Sequence, residues 1–277
     1  MMKIRADLHN HLRTSSKFIE GDFNAAINKA REELGEGGIF GMVNFADARY
    51  EEFIGLRGYE RAPLGDNSNG VYIPDKKIII VKGQEVPTRE GHLLVLGLGR
   101  DIHLKNHRSL EDTIKEARDN GAITIADHPF YLSGIGKSLL EEEGLLNQLD
   151  AIEVHNGEAA FGFPIGPIPF EANPRSSGLY PIAKHLNPHL GAISSSDGHS
   201  FYELGSSWTQ IKQPNLESKT EFIPSLRDAI RGSDMDTPMK KSNSYCGAID
   251  HIADLIFIAK IAPKIGLKSK FETYRPE

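Results

Sequence analysis

The 277-residue chain contains one cysteine, Cys246. That excludes an internal disulfide and any cysteine-built zinc site, and it fits a reducing compartment. Basic excess is absent too: 32 Lys and Arg against 38 Asp and Glu leave a net charge of −6. The broad positive field of a non-specific nucleic-acid binder is therefore missing, although a local basic pocket for a small or single-stranded nucleic acid is compatible with this balance. No run is apolar enough for a membrane span. The longest apolar-looking stretch, AIDHIADLIFIAKIAPKIG, carries Asp250, His251, Asp254 and Lys260. Its Ile249, Ile252, Ile256 and Ala259 recur in steps of three and four, as on an amphipathic helix packed against a core. The opening MMKIRADLHN has no apolar segment of the secretory kind, so a soluble, cytoplasmic protein is expected.

What is present is an alternation. Strand candidates are KIRADLH, GIFGMVNFA, KKIIIVKGQEV, GHLLVLGLG, AITIADHP, AIEVHNG and GAISSSDGH. Helical patterns lie between them, near 23–34, 109–120, 138–149, 176–187 and 220–231. The helix at 109 has a start signal in Ser109 and Asp112 and a stop at Gly121. Strand–helix alternation argues for parallel strands with crossover helices, an α/β sheet or barrel. Two Gly-, Pro- and Asn-rich stretches, 55–75 and 157–178, read as long loops at a functional rim. With no repeat, low-complexity tail or linker, residues 1–277 are expected to form one domain.

The strand ends carry the chemistry. DLHNH puts His9 and His11 on the same side of a strand end. Asp47 follows in NFADAR, Glu85 in GQEV, His128 in ADHP, and Asp197 and His199 in SSSDGH. Parallel α/β folds build their sites at the carboxyl ends of strands. His92 begins its strand instead, and needs a hairpin-like turn to stand beside Glu85. Several histidines with two or three carboxylates and no cysteine suit Zn²⁺, Mn²⁺ or Fe²⁺.

Taken in order, DLHNH, GQEV…GHLLVLG, ADHPF, IEVHNG and SSSDGH resemble the PHP (polymerase and histidinol phosphatase) family over residues 3 to about 212. The resemblance implies a distorted (β/α)7 TIM-like barrel with C-terminal helices over 217–265 packed on it. It also implies a metal-dependent phosphoesterase with two or three divalent ions. By position, His9, His11, Glu85 and Asp197 would hold one ion, and Glu85 would bridge to a second held by His92 and His128. A hydroxide between the ions would attack the phosphorus of a small phosphomonoester or a short nucleic-acid end. Of the family's three third-ion ligands only His199 matches outright: Ser16 or Lys17 stands at one position, and Asp47 or a neighbour replaces a histidine at another. Two firm ions and a weak or absent third are expected. Alternatively, Lys17 takes the place of the third ion and pairs with Asp47, and His199 contacts phosphate or protonates the leaving group.

Other residues have plainer readings. Arg13 is close enough to the histidine pair to grip a phosphate, or is a solvated loop residue. Glu153 reads as a barrel-interior partner, and Asp127 as a carboxylate orienting the His128 imidazole. His155 and Asn156 either face the site or form a turn. His103, His107, His185, His189 and His251 read as surface residues, Gly205 as a turn and Trp208 as a core contact. Two rival functions remain: a catalytically weak PHP-like binding module, and a metal-dependent C–N hydrolase of the amidohydrolase type. Glu85, standing where such hydrolases use a lysine or an equivalent bridging ligand, argues against the latter. Oligomeric state has no signature in the sequence.

Overall fold

The computed structural model describes residues 2–12, 19–45, 48–65, 68–161, 171–218 and 220–242. Arg13, Ser16, Lys17, Asp47, Cys246, His251 and the expected helix beyond 242 lie outside them. The strands are β1 (Lys3–Asp7), β2 (Ile39–Asn44), β3 (Ala62–Leu64), β4 (Gly70–Ile73), β5 (Ile78–Pro87), β6 (His92–Leu96), β7 (Ile123–Ala126), β8 (Ala151–Asn156), β9 (Gly191–Ser195), β10 (Trp208–Lys212) and β11 (Met239–Lys240). The helices are α1 (Ile19–Leu34), α2 (Arg49–Gly55), α3 (Leu110–Asp119), α4 (Gly136–Glu141), α5 (Glu143–Leu146), α6 (Gly157–Phe161), α7 (Ala172–Leu186) and α8 (Phe222–Arg231). No described helix is long and apolar enough to cross a membrane.

One sheet runs β11-β10-β1-β2-β5-β6-β7-β8-β9, with the β3–β4 hairpin branching from β5. Its ends meet where Ser194 N–H donates to Thr209 Oγ1 at 2.6 Å and the Thr209 hydroxyl donates back to the Ser194 carbonyl at 3.1 Å. The result is a nearly closed barrel, the expected TIM-like architecture. Its distortion has a location. β1–β2–β5 and β7–β8–β9 pair in parallel, but β6 is antiparallel to both neighbours. That reversal is the hairpin required for His92.

The strands form where β-branched residues cluster. Ile78, Ile79, Ile80 and Val81 of β5 are all fully buried, which demands apolar packing on both faces. At about 1.5–3 kcal/mol for each large apolar side chain removed from water, such runs drive closure. Inside, Ala6, Ile39, Val81, Leu94, Ile125, Ala151 and Ile193 form one cluster with Phe222, Ile223, Leu226 and Ile230 of α8. The Ser233 carbonyl accepts from Ala192 N–H at the start of β9, so α8 closes the end opposite the strand termini. Outside, one apolar layer lies under α3, α4 and α7 and another under α1 and α2.

Several expectations shift in detail. The 55–75 stretch contains the β3–β4 hairpin, and β10 was not anticipated. The helix expected from 176 starts four residues earlier, and the one over 138–149 is two short helices. Gly205 does turn the chain, at φ +71°.

Candidate metal centre

The histidines converge because three strand ends are tied together. His11 N–H donates to the Gly198 carbonyl at 2.8 Å and Val43 N–H to the Asn10 carbonyl at 3.0 Å. Buried Asp7 accepts from the backbone of Ser196 and Gly205, both at 3.0 Å, fixing the loop after β9; burial pushes its pKa up to about 6. His128 and Asp197 have positive φ, +27° and +50°. Non-glycine residues held there store strain, and such strain gathers at functional sites.

Around one point lie four donor atoms. His9 Nε2 is 3.0 Å from His11 Nε2, 3.4 Å from Asp197 Oδ1 and 3.9 Å from Glu85 Oε2. His11 Nε2 is 3.0 Å from Glu85 Oε2 and 3.5 Å from Asp197 Oδ1. Ligands about 2.1 Å from a divalent ion would lie roughly 3.0–3.4 Å apart, and four of these five separations are within 0.1 Å of that range, the His9–Glu85 distance being longer. The other oxygen of Glu85 faces a different pair: Oε1 is 3.2 Å from His128 Nε2 and in close contact with His92 Nδ1. Glu85 therefore stands between two imidazole pairs with one oxygen for each. A third group joins Asp197, His199 and Glu158, with His199 Nε2 3.1 Å from Glu158 Oε2 and 3.4 Å from Asp197 Oδ1.

Charge supports the same reading. Glu85, Asp127, Glu153 and Asp197 are each at most 5% exposed, and among the described residues no lysine or arginine pairs with them. Buried carboxylates need a counter-charge. Without an ion the imidazoles must supply it. Burial opposes charge on His128, yet Asp127 and Glu85 raise its pKa to about 10. Glu158 and Asp197 do the same for His199 against its burial, also to about 10. His11, where burial dominates, falls to about 4. Asp197 Oδ1 and Asp127 Oδ2 are buried with no hydrogen-bond partner. A divalent cation would satisfy these atoms, so the donor set fits one.

Behind the donors, Glu153 on β8 accepts from His9 Nδ1 at 3.3 Å, from His128 N–H at 2.7 Å, from Asn156 Nδ2 at 2.8 Å and from the Ser195 hydroxyl. The interior-partner reading of Glu153 thus matches its placement. Asn156 also donates to Asp197 Oδ2 at 3.0 Å, while its Oδ1 accepts from Ala159 N–H, so it serves both the site and the turn. Asp127 differs from expectation: its Oδ2 lies 3.5 Å from His128 Nε2, on the donor side of the ring rather than behind it. His155 is buried but belongs to none of the converging groups.

Two features were missed. Glu158 lies just past a strand end on the short helix α6, with no spacing to announce it. His103 is not a surface residue; its side chain is 5% exposed and lies 3.5 Å from Glu51. It belongs to an outer cluster in which buried Lys82 reaches Glu51 at 2.6 Å and the carbonyls of Gly99, Arg100 and Ile102. Lys82 and Glu85 thus take separate places on β5, and only Glu85 reaches His9, His11, His92 and His128.

No protein-family model matches the sequence, and no curated protein matches it either. Solved structures do. The crystal structure of PsfC from Pseudomonas syringae PB-5123 matches with TM-score 0.59 at 15% identity, over 92% of this chain and 98% of PsfC. Endonuclease Q, solved with a 27-mer duplex substrate bearing an abasic lesion at the active site, gives TM-score 0.52 at 16% identity, over 84% of this chain and 58% of that one. The lesion-specific endonuclease PfuEndoQ from Pyrococcus furiosus gives 0.51 at 14%, over 84% and 57%. The chain shares the fold of these three structures. At these identities the likeness is one of fold, and this chain spans little more than half of either endonuclease. In this fold β2 ends in Asn44, whose side chain accepts from Tyr50 N–H and donates to Glu51 at the start of α2 instead of reaching the histidines.

Proposed function

We propose that the protein is a metal-dependent phosphoesterase acting on a small phosphomonoester or a short nucleotide, built as a single domain and working in a reducing, cytoplasmic setting. The observation that carries the reading is the division of Glu85, with Oε2 on the His9–His11 side and Oε1 on the His92–His128 side. On this reading His9, His11, Asp197 and Glu85 hold one divalent ion, and Glu85, His92 and His128 hold a second; zinc, manganese or iron suits the donors. When bound, the pair of ions supplies Lewis-acid charge for attack by water on phosphorus.

The chain's own residues do the rest. Glu153 keeps the proton of His9 on Nδ1, leaving the Nε2 lone pair for the ion. Asn156 occupies Asp197 Oδ2 and turns Oδ1 toward the imidazoles. His199, held between Glu158 and Asp197, stands at the edge of the centre as the proton donor to the leaving oxygen. A weaker third ion on the Glu158–Asp197–His199 group is the alternative to that role, because His199 would then be its ligand and not a proton donor. Asp47 is assigned to catalysis and Arg13 to phosphate binding on sequence grounds. A duplex bound to Endonuclease Q is a property of that protein; the net charge of −6 favours small substrates here.

The test is hydrolysis of 4-nitrophenyl phosphate by protein purified without chelator, with and without added Mn²⁺. Glu85→Ala is expected to lower turnover by at least about a hundredfold, and a variant as active as the parent refutes the reading.

A further inference from the structure

The chain between β9 and β10 carries both Asp197 and His199, and two buried carboxylates hold it. Asp7 fixes its ends through Ser196 and Gly205. Glu203, 7% exposed, acts inside it: Oε2 accepts from His199 N–H at 2.9 Å and from Ser200 N–H at 3.0 Å. Residues 200–203, SFYE, have the S-x-x-E spacing of a capping box, in which the serine hydroxyl accepts from the glutamate N–H and the glutamate reaches back to the serine N–H. Here the box is incomplete. Glu203 N–H donates to the Ser200 carbonyl at 3.1 Å, and the Ser200 hydroxyl is buried without a hydrogen-bond partner. The carboxylate has taken a second donor one residue upstream, which a cap does not require.

That donor is the backbone of His199. Residues 196–207 belong to no helix or strand, so the hold on this N–H has to come from a side chain. The preceding carbonyl, of Gly198, accepts from His11 N–H at 2.8 Å. Pinned on both sides, His199 lays its ring over His11, with centroids 4.7 Å apart and 15° between the planes. Its Nε2 then lies 3.4 Å from Asp197 Oδ1.

We propose that Glu203 is a positioning residue, which by holding the His199 backbone N–H keeps that imidazole stacked on His11 as the proton donor to the leaving oxygen. The inference rests on the phosphoesterase reading. In that reaction water bonds to phosphorus, the ester P–O bond breaks with its electron pair on the leaving oxygen, and the imidazolium proton turns that oxygen into a hydroxyl; the proton shed by the water restores the imidazolium. Phenyl phosphate and 4-nitrophenyl phosphate test this, because phenolate is the far more basic leaving group and gains most from a proton. In the metal-loaded full chain, Glu203→Ala should lower kcat for phenyl phosphate by about tenfold or more, and for 4-nitrophenyl phosphate by no more than about threefold. KM and metal content should hold. Glu203→Gln keeps a carbonyl for both N–H groups and should behave as the parent. Glu203→Asp, too short to reach both, should behave as Glu203→Ala and replaces it if that variant does not fold. Equal losses on the two substrates, no loss on either, a fall in metal content, or a Glu203→Gln as impaired as Glu203→Ala overturns the inference. A second readout needs no turnover. The through-space NMR contact between the His11 and His199 rings in the zinc-loaded chain should vanish in Glu203→Ala and persist in Glu203→Gln, and its survival in Glu203→Ala overturns the inference. A parent that hydrolyses neither ester but shows this pattern sinks the phosphoesterase and leaves the hold of Glu203 on His199.

Discussion

Replacing Glu153 with glutamine changes a single oxygen to an NH₂ group, and the surroundings dictate which oxygen is exchanged. One carboxylate oxygen faces two obligatory donors, the His128 backbone N–H at 2.7 Å and the Asn156 amide at 2.8 Å. The glutamine must keep its carbonyl there. Its NH₂ then faces His9 Nδ1 and the Ser195 hydroxyl, where Glu153 now accepts. Serine can rotate and accept. His9 can accept only by moving its proton from Nδ1 to Nε2, the nitrogen that lies 3.0 Å from His11 Nε2 and 3.4 Å from Asp197 Oδ1. An ion must displace that proton before it binds. Loss of such a supporting hydrogen bond typically weakens metal affinity by about 10–100-fold. The ion at His9 and His11 is therefore expected to bind about 10–100-fold more weakly in Glu153→Gln, and the ion at His92 and His128 to stay within about threefold. Chelator-competition titration resolves the two steps. Two unchanged affinities, or equal weakening of both, would refute the tautomer argument.

Three further outcomes follow from the same geometry. His128 and His199, with pKa raised to about 10, are charged at pH 8 without an ion; metal binding there must release protons and tighten as pH rises, and a calorimetric enthalpy independent of buffer ionisation would contradict this. Gly91→Ala puts a Cβ 2.5 Å from the Ser133 carbonyl at φ +145°, so it should displace the β5–β6 turn and weaken the His92 ion more than the His9 ion; unchanged titration of the second ion would count against it. Lys82→Met strands three loop carbonyls and the Glu51 carboxylate, so stability should fall by about 3 kcal/mol in urea unfolding, with a loss under 1 kcal/mol as the contrary result.

Much of the barrel is legible in the sequence because its strands are buried on both faces and so consist of unbroken β-branched runs such as IIIV in β5. The reversal of β6 is legible from chemistry: His92 begins its strand, and only a hairpin brings it to Glu85. The β3–β4 hairpin is not, since Gly70 and Pro63 lie in a stretch whose composition reads as loop. The placement of His9, His11, Glu85, His128 and Asp197 at strand ends follows from alternation alone. Glu158 escapes because a one-turn helix just past a strand has no periodicity, although a carboxylate two residues after Asn156 in a strand-end HNGE was the available signal. The Lys82 cluster escapes for another reason. A lysine in an apolar strand usually faces solvent, and only the fold shows the ring of carbonyls that buries it.

The central claim is that Glu85 joins two ions. Elemental analysis of protein purified without chelator, beside Glu85→Ala prepared identically, tests it most directly. About two metal equivalents in the parent and fewer than one in a folded variant is the predicted result. A metal-free parent, or a variant that keeps its full complement, would contradict the account.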